Sequence, residues 1–180
     1  MINYIIQIIS LIILIVVQVS FLTTWPWPVN SLNLILSLAI FLTVIINYSK
    51  GLYFVVGAGL LLELYSSLPF GTTTLSLLIT VIAVNLLFSN FFTNRSFYSL
   101  IILGLIGTYI YNLLILSLNF LGLIVGLSNS FLSLNFGTRF FWQPLFNLLI
   151  LGIIFFSYNI STGRLKNIFL FPTHDYETKR

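Results

Sequence analysis

Glu63 is the only acidic residue ahead of the C-terminal tail, and it lies inside a long apolar run. A carboxyl at membrane depth costs roughly 2.5–3.5 kcal/mol on insertion scales, so such a group faces protein or water rather than lipid. Two kinds of chemistry are open to it. As a structural group it is protonated, or it accepts hydrogen bonds from neighbouring helices. As a functional group it binds a proton, a cation or a partner's side chain. Gly59, Glu63 and Ser66 share one helical face, at steps of four and three. Gly57 and Gly59 remove side chains ahead of the acid, so another helix can come close. Beyond it, Pro69 lacks an N–H and Gly71 permits a turn. The stretch from Gly57 to Gly71 therefore reads as a helix with an acid near its end, a broken tip and a return helix.

The remaining residue types offer little chemistry. His174 is the single histidine and stands in the tail. The acids total 3, too few for a metal cage or an acid–base pair. Without cysteine there is no disulfide, thiolate or cysteine metal site. No serine stands in a G-x-S-x-G elbow. Gly57-x-Gly59 lacks the third glycine and the strand of a dinucleotide loop. No catalytic residue, cofactor or metal site is expected, and the chain reads as a non-enzyme.

Composition says where these residues must sit. The 180 residues are 59% hydrophobic and 6% charged, with a mean hydropathy of +1.11. A soluble domain of this size could not cover its surface with so few charges. The expectation is an all-α, polytopic membrane helix bundle of six transmembrane helices, forming a single domain over residues 1–160. The spans are about 2–22, 31–48, 52–68, 72–92, 97–120 and 139–158. The first is ~31 Å long as a helix, enough to cross. A cleaved signal peptide is disfavoured there, because no Lys or Arg precedes the apolar run and no small-x-small site follows it. Trp25-Pro26-Trp27-Pro28 reads as an interfacial loop, and Ser31 as the N-cap of the second span. Lys50 and Asn94-Arg95 mark loops, and Gly122-x-x-x-Gly126 fits a close helix contact. Residues 122–137 suit either a short interfacial helix or an irregular loop. Residues 161–180 form a short polar tail.

With six spans both termini share a face. Lys50, Arg95, Arg164, Lys166, Lys179 and Arg180 fall on it, and Arg139 alone falls opposite. That bias places both termini in the cytoplasm. Arg139 then shares the outer half of the bilayer with Glu63, and an ion pair between them is expected. Other polar groups recur at helical spacing: Ser76 and Thr80; Gly104, Thr108, Tyr111 and Asn112; Arg139, Gln143 and Asn147. They read either as glue between helices or as the lining of a polar cavity or partner groove.

The run Gly59-Leu60-Leu61-Leu62-Glu63-Leu64-Tyr65-Ser66-Ser67-Leu68-Pro69-Phe70-Gly71 resembles the signature of the rod shape-determining protein MreD family of bacteria. Members show Gly-Leu, an acid, a small polar pair and then Pro-Leu-Gly. Glu63 stands here where Asp is usual, and Phe70 where Leu is usual. The family's Pro-Asp before the second span is absent, with Pro28-Val29-Asn30 near its place. The resemblance implies a non-enzymatic scaffold of the elongasome in the bacterial plasma membrane, supporting cell shape and side-wall peptidoglycan synthesis. Its implied partners are a bitopic MreC-like protein and, through it, MreB, RodA and a penicillin-binding synthase. Gly59, Glu63, Ser66, Pro69 and Gly71 then form the candidate partner-contact or structural polar face. The overall fold would be similar to that of the S-components of energy-coupling-factor vitamin transporters, which supply the alternative function. An S-component would line an outer pocket with Trp25, Trp27, Glu63, Tyr65, Asn112 and Trp142. Against it, the expected Ala-x-x-x-Ala docking pattern is missing. A small membrane protein that only stabilises a complex is a third reading.

Overall fold

In an apolar setting an α-helix or a closed β-barrel satisfies the backbone's own polar groups, and continuous apolar runs nearly free of proline suit the helix, since barrel strands alternate. In a computed structural model the described residues are 2–22, 24–26, 28–66, 68–92, 94–126 and 136–162. Among them are six α-helices and no strand: α1 (Ile2–Val16), α2 (Leu34–Phe41), α3 (Tyr48–Glu63), α4 (Thr72–Phe91), α5 (Phe97–Ile124) and α6 (Phe136–Thr162). α1 and α2 run on into π-helical turns, Val17–Leu22 and Leu42–Ile46. The chain is thus an all-helical bundle of membrane-type helices. Three of them, α4, α5 and residues Arg139–Ile160 of α6, are long and apolar enough to cross a membrane.

Six helices form, but not six equal spans. The expected second span, 31–48, contracts to the helical stretch Leu34–Ile46, ~20 Å long, well short of a hydrocarbon core of ~30 Å. The reason is its position. α2 packs against α3, α4, α5 and α6, and Ile35, Leu36, Ala39, Ile40 and Val44 are fully buried. A helix wrapped in protein need not match the lipid thickness. The expected third span, 52–68, starts earlier, at Tyr48, and stops at Glu63. Lys50 therefore lies in the first turn of α3 and not in a loop. Asn47 alone makes the turn, its extended backbone redirecting the chain while its side chain accepts from the Ser49 N–H at 3.0 Å.

Other boundaries shift for local reasons. Asn33, not Ser31, caps α2, accepting from the Leu36 N–H at 3.0 Å. The Ser31 hydroxyl instead donates to the Pro28 carbonyl at 2.6 Å. α5 runs past residue 120 to Ile124, so Gly122 is helical and buried. Gly126 makes no close helix contact: its φ of 77° is the left-handed conformation that ends a helix, and nothing stands within 4 Å of where a Cβ would be. The rest of the 122–137 segment up to residue 135, Trp27, and the tail beyond Thr162 with His174 lie outside the described residues.

In an apolar solvent helices are not driven together by burial of Leu and Ile, so close packing and polar contacts must hold them. Gly107 supplies the first: a Cβ there would stand 2.9 Å from Ile40 and 3.0 Å from Val84, on α2 and α4. Asn147 of α6 supplies the second. It is 1% exposed. Its Oδ1 accepts from the Asn33 N–H at 3.0 Å, and its Nδ2 donates to the Thr108 hydroxyl of α5 at 3.3 Å. Gln18 holds the same end of α2, donating to the Leu32 carbonyl at 3.1 Å and accepting from the Leu34 N–H at 2.9 Å. Interhelical hydrogen bonds in membranes contribute ~0.6 to 2 kcal/mol each. Asn147→Ala should therefore lower the unfolding free energy by ~1–2 kcal/mol, read by steric-trapping unfolding in bicelles. An unchanged value would show that the amide is incidental.

The far end of α2 is held by charge. Arg95, in the α4–α5 connection, donates from Nη1 to the Ile45 and Ile46 carbonyls at 2.9 and 2.6 Å. A cation at a helix C-terminus meets the negative end of the helix dipole. Ser76 and Thr80 do not bridge helices: each hydroxyl donates at 2.7 Å to the carbonyl four residues earlier on α4.

Candidate functional site

The stretch that carries the candidate residues folds as one corner between α3 and α4. Gly71 is the N-cap residue of α4, with φ 94°, and it has no side chain with which to cap. A residue with a Cβ would be strained there. Glu63, the last residue of α3, takes over that role. Its Oε1 accepts from the Thr73 and Thr74 N–H groups, both at 3.1 Å. A side-chain oxygen there satisfies orphan donors at the positive end of the α4 dipole.

The turn is bonded around this contact. Ser66 lies past the end of α3 and not on its face; its N–H donates to the Glu63 carbonyl at 3.2 Å, and its hydroxyl accepts from the Leu68 N–H at 3.1 Å. The Pro69 carbonyl accepts from the Thr72 N–H at 3.1 Å and from its hydroxyl at 2.7 Å. Gly59 brings the helices together: a Cβ on it would be 3.0 Å from both the Cα and the Oγ1 of Thr74. Glu63 is only 6% exposed. Its Oε2, like the Thr74 hydroxyl, is buried without a hydrogen-bond partner.

The expected ion pair between Glu63 and Arg139 is therefore not formed. Oε1 is taken by backbone donors and Oε2 has no partner. Arg139 is exposed near the start of α6, which packs on α5 and α2, whereas Glu63 sits between α3 and α4. Of the residues of the alternative outer pocket, Tyr65, Asn112 and Trp142 make no hydrogen bond to Glu63. Tyr65 is 68% exposed and lines a small cleft of about 100 Å³ with Ile12, Ile15, Val16, Val19 and Leu61. Asn112 is buried on α5, and Trp142 is 38% exposed on α6.

The corner presents apolar groups outward. Leu64, Tyr65 and Phe70 are 71%, 68% and 78% exposed. Phe70 borders a shallow groove of about 200 Å³ between the corner and the end of α5, lined also by Pro69, Leu75, Leu118, Leu121 and Val125. Nothing in the sequence marks these side chains out from the apolar residues around them. The arrangement offers hydrogen-bonded rigidity and an apolar rim. Among the described residues no group of acids and histidines could hold a metal. Comparison with protein families, with characterised proteins and with solved structures finds no match to this chain.

Proposed function

We propose that this chain is an integral membrane scaffold of the bacterial cell-wall elongation machinery, of the MreD kind, which works by holding partners and not by catalysis. The observation that supports the reading most is that the described residues of the resembling motif, Gly59 to Gly71, form a single hydrogen-bonded unit. Its distinctive residues have one joint purpose, to fix a tight corner with Leu64, Tyr65 and Phe70 at its rim. A rigid apolar rim is what a membrane-embedded partner needs, since association there depends on shape.

In this reading the six helices all belong to the bilayer, α2 and α3 as short inner members. The end with Lys50 and Arg95 faces the cytoplasm together with both termini. Glu63 acts on partners indirectly, by shaping the corner. The bound partner is a bitopic MreC-like protein, and MreB, RodA and a penicillin-binding synthase join through it.

A tagged pull-down in mild detergent from the native envelope tests this. Recovery of a bitopic MreC-like protein with cell-wall synthases is expected. The paired substitution Tyr65→Ser and Phe70→Ser should cut that recovery at least severalfold while leaving thermal stability near that of the parent, because both side chains are largely exposed. Recovery of a transmembrane coupling subunit with two ATPases would replace the scaffold by a vitamin transporter.

A further inference from the structure

We propose that the corner where α2 ends and α3 and α5 begin is a binding site for the phosphate of an anionic phospholipid headgroup, held by Arg95 and Lys50. The proposal rests on the membrane character of the bundle and not on any protein partner.

Arg95 is pinned. Its Nη1 is bound by the Ile45 and Ile46 carbonyls, which fixes the plane of the guanidinium. A guanidinium carries five N–H donors, and the two carbonyls take only Nη1; Nε and Nη2 make no hydrogen bond among the described residues. Arg95 is also exposed. It therefore presents a fixed, charged fork of the geometry that binds phosphate oxygens in pairs. Lys50 is exposed on the first turn of α3, four residues beyond Ile46, whose carbonyl Arg95 holds. α4 and α5 both pack against Leu42–Ile46, which brings these helix ends together.

No acid among the described residues neutralises this corner. The chain has three, Glu63, Asp175 and Glu177. Glu63 sits at the opposite end of α3, bound to α4, and the other two belong to the tail. The surroundings indicate which anion this corner meets. Tyr53, Phe91 and Tyr98 flank Lys50 and Arg95 in the chain and are 81%, 75% and 78% exposed. Exposed aromatic side chains at helix ends settle at headgroup level. Lys50 and Arg95 are thus held at the depth of the lipid phosphates, where anionic lipids attract basic residues.

The test uses the full-length protein in mild detergent, titrated with phosphatidylglycerol or phosphatidylcholine and scored by native mass spectrometry. Phosphatidylglycerol should bind more tightly. Arg95→Gln and Lys50→Gln should each weaken it about fivefold. Lys50→Gln leaves the Arg95 clamp on α2 intact, so its effect separates loss of the site from loss of the fold. Arg139→Gln, at the other end of the bundle, should change nothing. Equal binding of the two lipids would overturn the proposal, as would equal weakening by Lys50→Gln and Arg139→Gln. Displacement of the lipid by millimolar glycerol 3-phosphate would overturn the lipid assignment in favour of a soluble phosphate ligand.

Discussion

Glu63→Ala is expected to lower the unfolding free energy by ~3 kcal/mol, while Glu63→Gln costs ~1 kcal/mol or less. The difference lies in one oxygen. Alanine removes the acceptor shared by the Thr73 and Thr74 N–H groups. Both donors then stay buried, since Thr73 and Thr74 are 7% and 8% exposed. Each buried donor left without a partner costs ~1–3 kcal/mol, and loss of a helix N-cap alone costs ~0.5–2 kcal/mol. Glutamine keeps a carbonyl oxygen in the same place. At most it forfeits the attraction of a charged acceptor to the helix dipole, ~0.3–1 kcal/mol at ordinary sites. Steric trapping or SDS unfolding in bicelles gives both values. If glutamine proves as damaging as alanine, the charge itself is needed, and Glu63 answers to a cation or proton that the corner does not supply.

The second large effect belongs to Gly59. Gly59→Leu should lower stability by ~3 kcal/mol and reduce the amount of folded protein in the membrane, whereas Gly59→Ala costs ~1 kcal/mol. The Cβ position is 3.0 Å from the backbone Cα of Thr74, and a backbone cannot rotate away as a side chain can. A methyl group demands a shift of a few tenths of an ångström. A leucine forces the helices apart, and overpacking of that kind typically costs ~1–3 kcal/mol. Separation also draws Glu63 away from Thr73 and Thr74. The double variant Gly59→Leu with Glu63→Ala should therefore lose less than the sum of the single losses, because both open one interface. Strict additivity would mean that the glycine contact and the carboxylate cap are independent, contrary to the geometry.

These two expectations bear on the scaffold reading. A corner maintained by Gly59, Glu63 and Gly71 is a device for shape. Damage to it would weaken partner binding through disorder of the rim, alongside a fall in stability. Substitutions at Tyr65 and Phe70 should weaken partner binding with stability intact. The two signatures distinguish a residue that builds the surface from one that touches the partner.

The sequence alone determined that the chain is membrane-like, because 59% apolar and 6% charged residues cannot cover a soluble surface, and that it is helical, because its apolar runs are continuous and not alternating as in barrel strands. It also located α4 to within a residue, since Gly71 and Asn94-Arg95 bracket an uninterrupted apolar run. A break between α3 and α4 was legible from Pro69 and Gly71, whose backbone constraints are local, but α3 ends at Glu63, ahead of the expected limit at residue 68. The burial of Gly104, Thr108, Tyr111 and Asn112 was legible from helical periodicity, a property of one helix by itself.

Tertiary structure decided the rest. Whether Glu63 meets Arg139 or a helix terminus depends on which helix lies opposite, and periodicity assigns a face but no neighbour. The length of α2 could not be read, because a protein-wrapped helix and a lipid-facing one have equally apolar sequences. Arg95 signals a membrane boundary in the sequence. Only the folded chain brings it to the carbonyls of residues 45 and 46, about fifty positions away in the chain. For Glu63 and Arg95 the deciding quantity is a free backbone donor or acceptor at a helix end, and the sequence does not say whose side chain will fill it; for α2 it is the number of helices that surround it.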